Sequence, residues 1–467
     1  MKRLLPLLLI GTAWAIPEPE NLDSRSAPAP PALMAPAPGV TRVLPNPPAV
    51  KPTAVEKVKL SYEGAPLIAL AKNPTVTAGI AQVRELMAKA EVIGAAQHLQ
   101  GKLALQGPPI QPSNGSFRND YVLSPVSLEV RQLIFEGGKI RFAVEQGKHL
   151  ARSQAWQAQS DWQDLYYRVR KAYLNTLARQ GDLVLAEQQV QLTEQQLRQA
   201  EVRFQVGKAP RGDVLSAKLP VSQAQVTVAK KRAAHAKSLQ ELNQLLGLAL
   251  TTPLELEAPK LPENPLPDVE ACVKEALDQR PILWSLTEQL VASMKQIRAG
   301  EADNAPQVNI LLGIAGISQG TQIIGAAQYR GGFEVNWQFA DGGRAARLGD
   351  QARALRDKNY ALLEDKRRLV ELEVRDAYRD LQLGVETHQS EELRVTQAQD
   401  ALRIAQAQYR AGMINVYPVR QAQTDLFEAQ QAEVQAFYDY FQALAKLDLA
   451  CGRSGGTKVD TPWPEED

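Results

Sequence analysis

Four markers occur twice along this chain at a single spacing. Phe135-Glu-Gly137-Gly138 returns as Ala340-Asp341-Gly342-Gly343, and Val169-Arg-Lys-Ala-Tyr173 as Val374-Arg-Asp-Ala-Tyr378. Phe204-Gln-Val-Gly207 returns as Tyr409-Arg-Ala-Gly412, and Gly247 as Gly452, each 205 residues on. Ala69-Leu70 with Asn73-Pro74 matches Ala276-Leu277 with Arg280-Pro281 at 207, so the two segments differ by two residues between these markers. A period of about 200 residues is far above the roughly 20–50 of solenoids and indicates duplication of one complete unit. Whatever one unit folds into, the chain must build it twice and join the copies. The joint falls at Pro253, Pro259, Pro262, Pro265 and Pro267, which interrupt any helix or central strand. The units are therefore 59–247 and 268–452, with a linker at 248–267.

Each unit reads as helix, two strands, long helix, tight turn, helix. Pro74 and Pro281 suit a first helical turn, where the missing N–H costs nothing, and Asn73 is a capping residue. These helices run to about Ala96 and Ala302. After Gly137-Gly138 no proline occurs until Pro210, and after Gly342-Gly343 none until Pro418. Helices of about 70 residues, near 100 Å at ~1.5 Å per residue, are expected there. Trp162, Val169, Thr176, Leu183, Val190, Leu197 and Phe204 recur every seventh residue, with Leu165, Ala172, Ala186, Thr193 and Ala200 beside them. The second unit repeats the seam with Val374, Leu381, His388, Val395, Leu402 and Tyr409. A sustained heptad with small residues argues for a closely packed coiled coil, its returning arms at 214–246 and 419–450.

The strands have two unlike faces. Phe333, Val335, Trp337 and Phe339 alternate with Glu334, Asn336 and Gln338. Val308, Ile310, Leu312 and Ile314 alternate with Gln307, Asn309, Leu311 and Gly313, and Val126, Leu128 and Val130 with Ser127, Glu129 and Arg131. Leu99, Leu103 and Leu105 alternate with His98, Lys102 and Gln106. Ten-residue segments of this kind, joined by polar loops near 107–118 and 319–329, are what a lipid-facing barrel requires. Phe333, Val335, Trp337 and Phe339 are then expected to face lipid, and Glu129, Arg131, Glu334, Asn336 and Gln338 a water-filled lumen. Four strands cannot close a barrel, and an open edge is not tolerated in lipid, where the smallest barrels have ~8 strands. Several chains must contribute: two copies give eight strands, three give twelve and more room for a lumen.

The flanks fit export. Lys2 and Arg3 precede an apolar run at 4–11 and the small-x-small site Ala13-Trp14-Ala15, a signal peptide over 1–15. No cysteine follows that site, so acylation is not expected. Residues 16–58 form a Pro-rich disordered arm, and 453–467 a disordered tail. No later run of 18 apolar residues suggests a transmembrane helix. A net charge of +1 removes the footprint that nucleic-acid binding needs. Four histidines without ligand spacing and two distant cysteines argue against a metal site, and no nucleophile elbow, His-Glu-x-x-His or phosphate loop occurs. Neither an enzyme nor a cofactor is expected.

Over about residues 60–452 the ordered, doubled motifs resemble the outer membrane efflux protein family, the TolC-like channels. The resemblance rests on Asn73-Pro74, the strand-to-Phe-x-Gly-Gly passage, Val-Arg-x-Ala-Tyr, and the aromatic-x-x-Gly turn followed by Asp213-Val214-Leu215. It implies an α+β membrane protein, a homotrimer with a twelve-stranded β-barrel, four strands per chain, continued by an α-helical coiled-coil tunnel into the periplasm. It also implies a passive duct in a tripartite efflux or type I secretion system, meeting a periplasmic adaptor and an inner-membrane transporter. The turns are the expected docking tips, with Gly207, Lys208, Pro210 and Asp213 in one and Gly412, Met413, Asn415 and Pro418 in the other. In the family, aspartates narrow the entrance six and nine residues after the second turn's glycine; here Pro418 and Gln421 stand there. Entrance closure is therefore expected to rest on packing and hydrogen bonds around the turns. Cys272 and Cys451 would both lie at mid-tunnel in the family layout, where a disulfide and two buried free thiols are both open. The rival reading is a periplasmic coiled-coil scaffold or adaptor without a pore, which has no use for the strand alternation.

Overall fold

A computed structural model describes residues 58–105, 122–207, 210–261, 266–319, 322–411, 413–414 and 416–453. The same element order runs through it twice. The first half holds β1 (Val58–Leu60), α1 (Gly64–Lys72), α2 (Pro74–Gly94), β2 (Gln100–Leu105), β3 (Val122–Phe135), α3 (Lys139–Gln205) and α4 (Arg211–Leu245). The second holds β4 (Leu254–Leu256), α5 (Val269–Gln279), α6 (Pro281–Glu301), β5 (Gln307–Gln319), β6 (Gln322–Asn336), α7 (Arg344–Arg410) and α8 (Val416–Ala450). Both long helices have 67 residues and both returning helices 35. Among the described residues no helix is long and apolar enough to cross a membrane.

Each long helix starts from a glycine pair that no other residue could replace cheaply. Gly137, Gly138, Gly342 and Gly343 all have φ between 65° and 85°, the left-handed region that favours glycine. A Cβ on Gly137 would lie 2.2 Å from that of Ala305. The acid just before each pair closes the open helix end. Glu136 accepts from the Ile140 N–H at 2.8 Å, and Asp341 from the Gly343 and Ala345 N–H groups at 2.8 and 2.7 Å. The passage from strand to helix is held by these capping hydrogen bonds.

Helix α3 lies centrally. On the sheet side it packs between α2 and α6, and beyond the middle between α4 and α8, while α7 lines the far side of α6 and α8. The heptad residues Leu165, Val169, Thr176, Ala186 and Thr193, and Val374, Ala377, Leu381 and Val395, are buried in these contacts. Phe204, the last of the first seam, is exposed near the turn. His388 is half-buried, stacked on Tyr440 and edge-on to Phe437.

At mid-length, two core clusters form under α1 and α5, helices the proline pattern did not reveal. There β4 lies within 248–267, the stretch expected to be a linker, and pairs in parallel with β1, Leu60 opposite Leu256. The buried Tyr173 hydroxyl fastens this pair, donating to the Leu60 carbonyl at 2.7 Å and accepting from the Glu257 N–H at 2.8 Å. Burial pushes that phenol up to about 12, so it remains a donor at any physiological pH.

Candidate functional site in the sheet and the hairpin turns

Strands β2, β3, β5 and β6 form one antiparallel sheet in that order. Directly opposed residues share a face, so the register sorts the side chains. One face carries the rows Leu103, Leu128, Ile314, Tyr329; then Val130, Leu312, Gly331; then Gln132, Ile310, Phe333; then Phe135, Val308, Val335, apolar but for Gln132 and Gly331. Its large side chains stand in the open: Leu312 is 58%, Tyr329 80%, Phe333 77% and Val335 65% exposed. The opposite face carries Lys102 across from Glu129, Gln100 across from Arg131, and Asn309 across from Glu334. Arg131 reaches Glu129 on its own strand at 3.3 Å and Glu334 at 3.7 Å, linking β3 to β6 across β5. Asn309 is buried in the same polar face.

The sheet brings Glu129, Arg131, Glu334 and Asn336 onto one face and Phe333 and Val335 onto the other. It does not include Trp337, Gln338 and Phe339, whose alternation extended the expected strand. β6 ends at Asn336, opposite Gln307, because the next residue of the partner strand is Pro306, which has no N–H to continue the ladder. Trp337 instead donates its indole N–H to the Asn304 carbonyl at 3.2 Å, and its ring packs edge-on against Phe339, with centroids 6.1 Å apart. The expected polar loop at 319–329 is likewise corrected: β6 begins at Gln322 and pairs residue by residue with β5, with one irregularity between Gly316 and Ile317. Ile323-Ile324-Gly-Ala-Ala has no period of two, so backbone pairing carries this strand without a patterned sequence. The expected loop at 107–118 lies outside the described residues.

At the far end of the long helices, Gly207 adopts φ +71° and Pro210 precedes α4. Asp213 sits in the first turn of α4, its N–H bonded to the Pro210 carbonyl at 3.1 Å. In the second turn the Met413 N–H closes on the Gln408 carbonyl at 2.9 Å while its side chain is 77% exposed, and Pro418 lies in the first turn of α8. Lys208, Gly412 and Asn415 lie outside the described residues. Arg203 near the end of α3 donates to the Tyr409 hydroxyl near the end of α7 at 2.8 Å, so the two hairpin ends lie side by side. Sequence reasoning missed that pair; its signal was the aromatic of one turn motif and a cation one residue before the aromatic of the other. Gln421 donates to Asp425 at 2.8 Å within α8.

The chain matches the outer membrane efflux protein family over residues 66–248 and again over 272–453. It belongs to that family. Its place is the outer membrane, with the helical part extending into the periplasm. It is 25% identical to Protein CyaE of Bordetella pertussis over 310 residues, 65% of this chain and 65% of that protein. It is 23% identical to the alkaline protease secretion protein AprF of Pseudomonas aeruginosa over 350 residues, 73% of this chain and 72% of AprF. The crystal structure of the outer membrane protein VceC from Vibrio cholerae superposes with a TM-score of 0.71 at 18% identity, covering 84% of this chain and 96% of VceC. The fold is thus that of the TolC-like channels, rich in helix with a few strands.

Proposed function

We propose that this chain is one protomer of a passive outer-membrane exit duct. Three copies each give four strands to a twelve-stranded barrel, and their hairpins continue it as a helical tunnel into the periplasm. The supporting observation is the two-faced sheet: an exposed apolar face across four strands, backed by a face carrying Lys102, Glu129, Arg131 and Glu334. Among the described residues of one chain the outer edges of β2 and β6 have no neighbour strand in the sheet. Lipid does not tolerate such edges, and copies joined edge to edge remove them. The repeated element order supports a duplicated unit, which lets one chain supply two of the six strand hairpins. A pore-free scaffold would have no use for the exposed apolar face.

The turns carrying Gly207, Pro210, Asp213, Met413 and Pro418 are the docking tips for a periplasmic adaptor, which couples the duct to an inner-membrane transporter for efflux or type I secretion. The relative AprF bears a secretion name, which keeps both kinds of cargo open. Closure at the tips rests on contacts such as Arg203 with Tyr409, and Asp425 is engaged by Gln421.

Neighbouring leucines on β5 test the barrel. Leu312 lies on the apolar face and Leu311 on the polar one. Leu312→Arg should cost roughly 2–4 kcal/mol of assembly if it sits near the bilayer midplane, and Leu311→Arg should be nearly silent. The readout is heat-modifiable trimer recovered from outer membranes; equal recovery of the two variants would overturn the assignment of faces.

A further inference from the structure

Cys272 and Cys451 lie in one buried core cluster, both fully withdrawn from solvent. Cys272 is in the second turn of α5 and Cys451 directly follows the last residue of α8. Both are free thiols in this structure. The Arg453 guanidinium donates to the Cys272 sulfur at 3.7 Å and is held by Glu275 at 2.6 Å, so a polar clamp closes over the pair. The corresponding positions of the first half are Ala65 and Leu246, also fully buried, so that site is filled by ordinary apolar packing. Only the second half places two sulfurs there, and it does so in a compartment where disulfides form and persist.

We propose that Cys272 and Cys451 form an intramolecular disulfide that staples α5 to the end of α8. One thiolate attacks the disulfide of an envelope thiol oxidant, giving a mixed disulfide. The second thiol displaces the oxidant, which leaves as its dithiol carrying the electron pair, and the two thiol protons of the chain are given up. Burial, and the neighbouring Cys272, push the Cys451 thiol well above its ordinary range. Since the thiolate is the reacting form, a closed core would not exchange. The bond therefore forms while α5 is docking, and once formed it resists reductants that do not unfold the chain. Because it closes a loop that spans most of the second unit, its constraint on the unfolded chain is large.

The test uses the full chain recovered from outer membranes, denatured in detergent and treated with a polyethylene-glycol maleimide that adds a fixed mass per free thiol. The proposal requires no adduct without reduction and two adducts per chain after reduction in denaturant. It also requires a Cys272→Ser variant to show one adduct without reduction. One or two adducts on the unreduced wild-type chain would overturn it. So would a reductant-sensitive ladder of covalent oligomers, which would mean that the sulfurs pair between copies.

Discussion

The two halves of the chain make the same bend at mid-length and fasten it with different chemistry. In both, the returning helix ends at a left-handed glycine, Gly247 at φ +69° and Gly452 at φ +81°, next to the residue before the proline that opens α2 or α6. At the first joint the fastening is neutral. Asn73 accepts from the Thr75 N–H at 2.9 Å and donates to the Leu245 carbonyl at 2.8 Å, so one amide caps α2 and satisfies the end of α4. At the second joint Arg280 takes the place of Asn73 and cannot accept a hydrogen bond; it pairs with Glu373, which Lys366 also reaches at 3.3 Å. The Gly452 carbonyl is met from α3, by Gln163 at 3.2 Å. A duplicated unit thus keeps its backbone bend while its polar closure diverges, because a helix end needs a partner for its free groups but does not dictate which.

The sharpest way to break this comparison is through the repeated tyrosines. Tyr173 is fully buried and bonded to β1 and to Glu257 just after β4, whereas Tyr378 is only half-buried against the second core. Tyr173→Ala should cost about 3–5 kcal/mol, and Tyr173→Phe about 1–3 through the orphaned strand groups. Tyr378→Ala should cost clearly less, measured as helical signal against guanidinium in detergent. Equal losses would mean that the β1 and β4 pair does not set the two halves apart.

A second contrast concerns the glycines. Alanine at either site pays about 1–2 kcal/mol for left-handed backbone. At Gly247 the new Cβ would also meet the Lys72 carbonyl oxygen at 2.7 Å, whereas at Gly452 the nearest atom lies at 3.5 Å. Gly247→Ala should therefore lower the unfolding midpoint more than Gly452→Ala, and the reverse order would put the tight joint in the wrong half.

The smallest effect is the most specific. Asn73→Ala should cost about 1 kcal/mol as a lost cap, with no dependence on pH. Burial works against the charge of Glu373, but Arg280 and Lys366 outweigh it and hold its carboxyl below the ordinary range. A depressed folded value means that the stabilisation is complete above the unfolded carboxylate pKa of about 4.3 and is lost as pH falls through the folded value. The stability difference between wild type and Glu373→Gln should be present at neutral pH and fade below about pH 4. A difference that persists in acid would show that packing, not charge, holds the second joint.

Much of this architecture was legible because its causes are local. The heptads of α3 and α7 name Val169, Thr176, Val374 and Leu381, which become buried, while Phe204 at the end of the seam stays exposed, and Asn73-Pro74 announces a helix start whose cap acts two residues away. The candidate lumen and lipid faces could be read wherever alternation matched the ladder, as at Glu129, Arg131, Phe333 and Val335. Alternation failed at Trp337 and Phe339, since the end of β6 is decided by Pro306 on another strand, and it was silent at the start of β6.

The amino-acid order alone determines the doubled unit, the unbroken long helices and the chemistry of each strand face, because period, proline and glycine act through the nearest few residues. It does not say that Leu254–Leu256 will find Val58–Leu60, that Arg203 will meet Tyr409, or that Cys272 and Cys451 will lie in one core. Those pairings join residues 179 to 206 positions apart. Each pairing is set by how the packed helices bring the two segments within reach, which no short-range preference can specify.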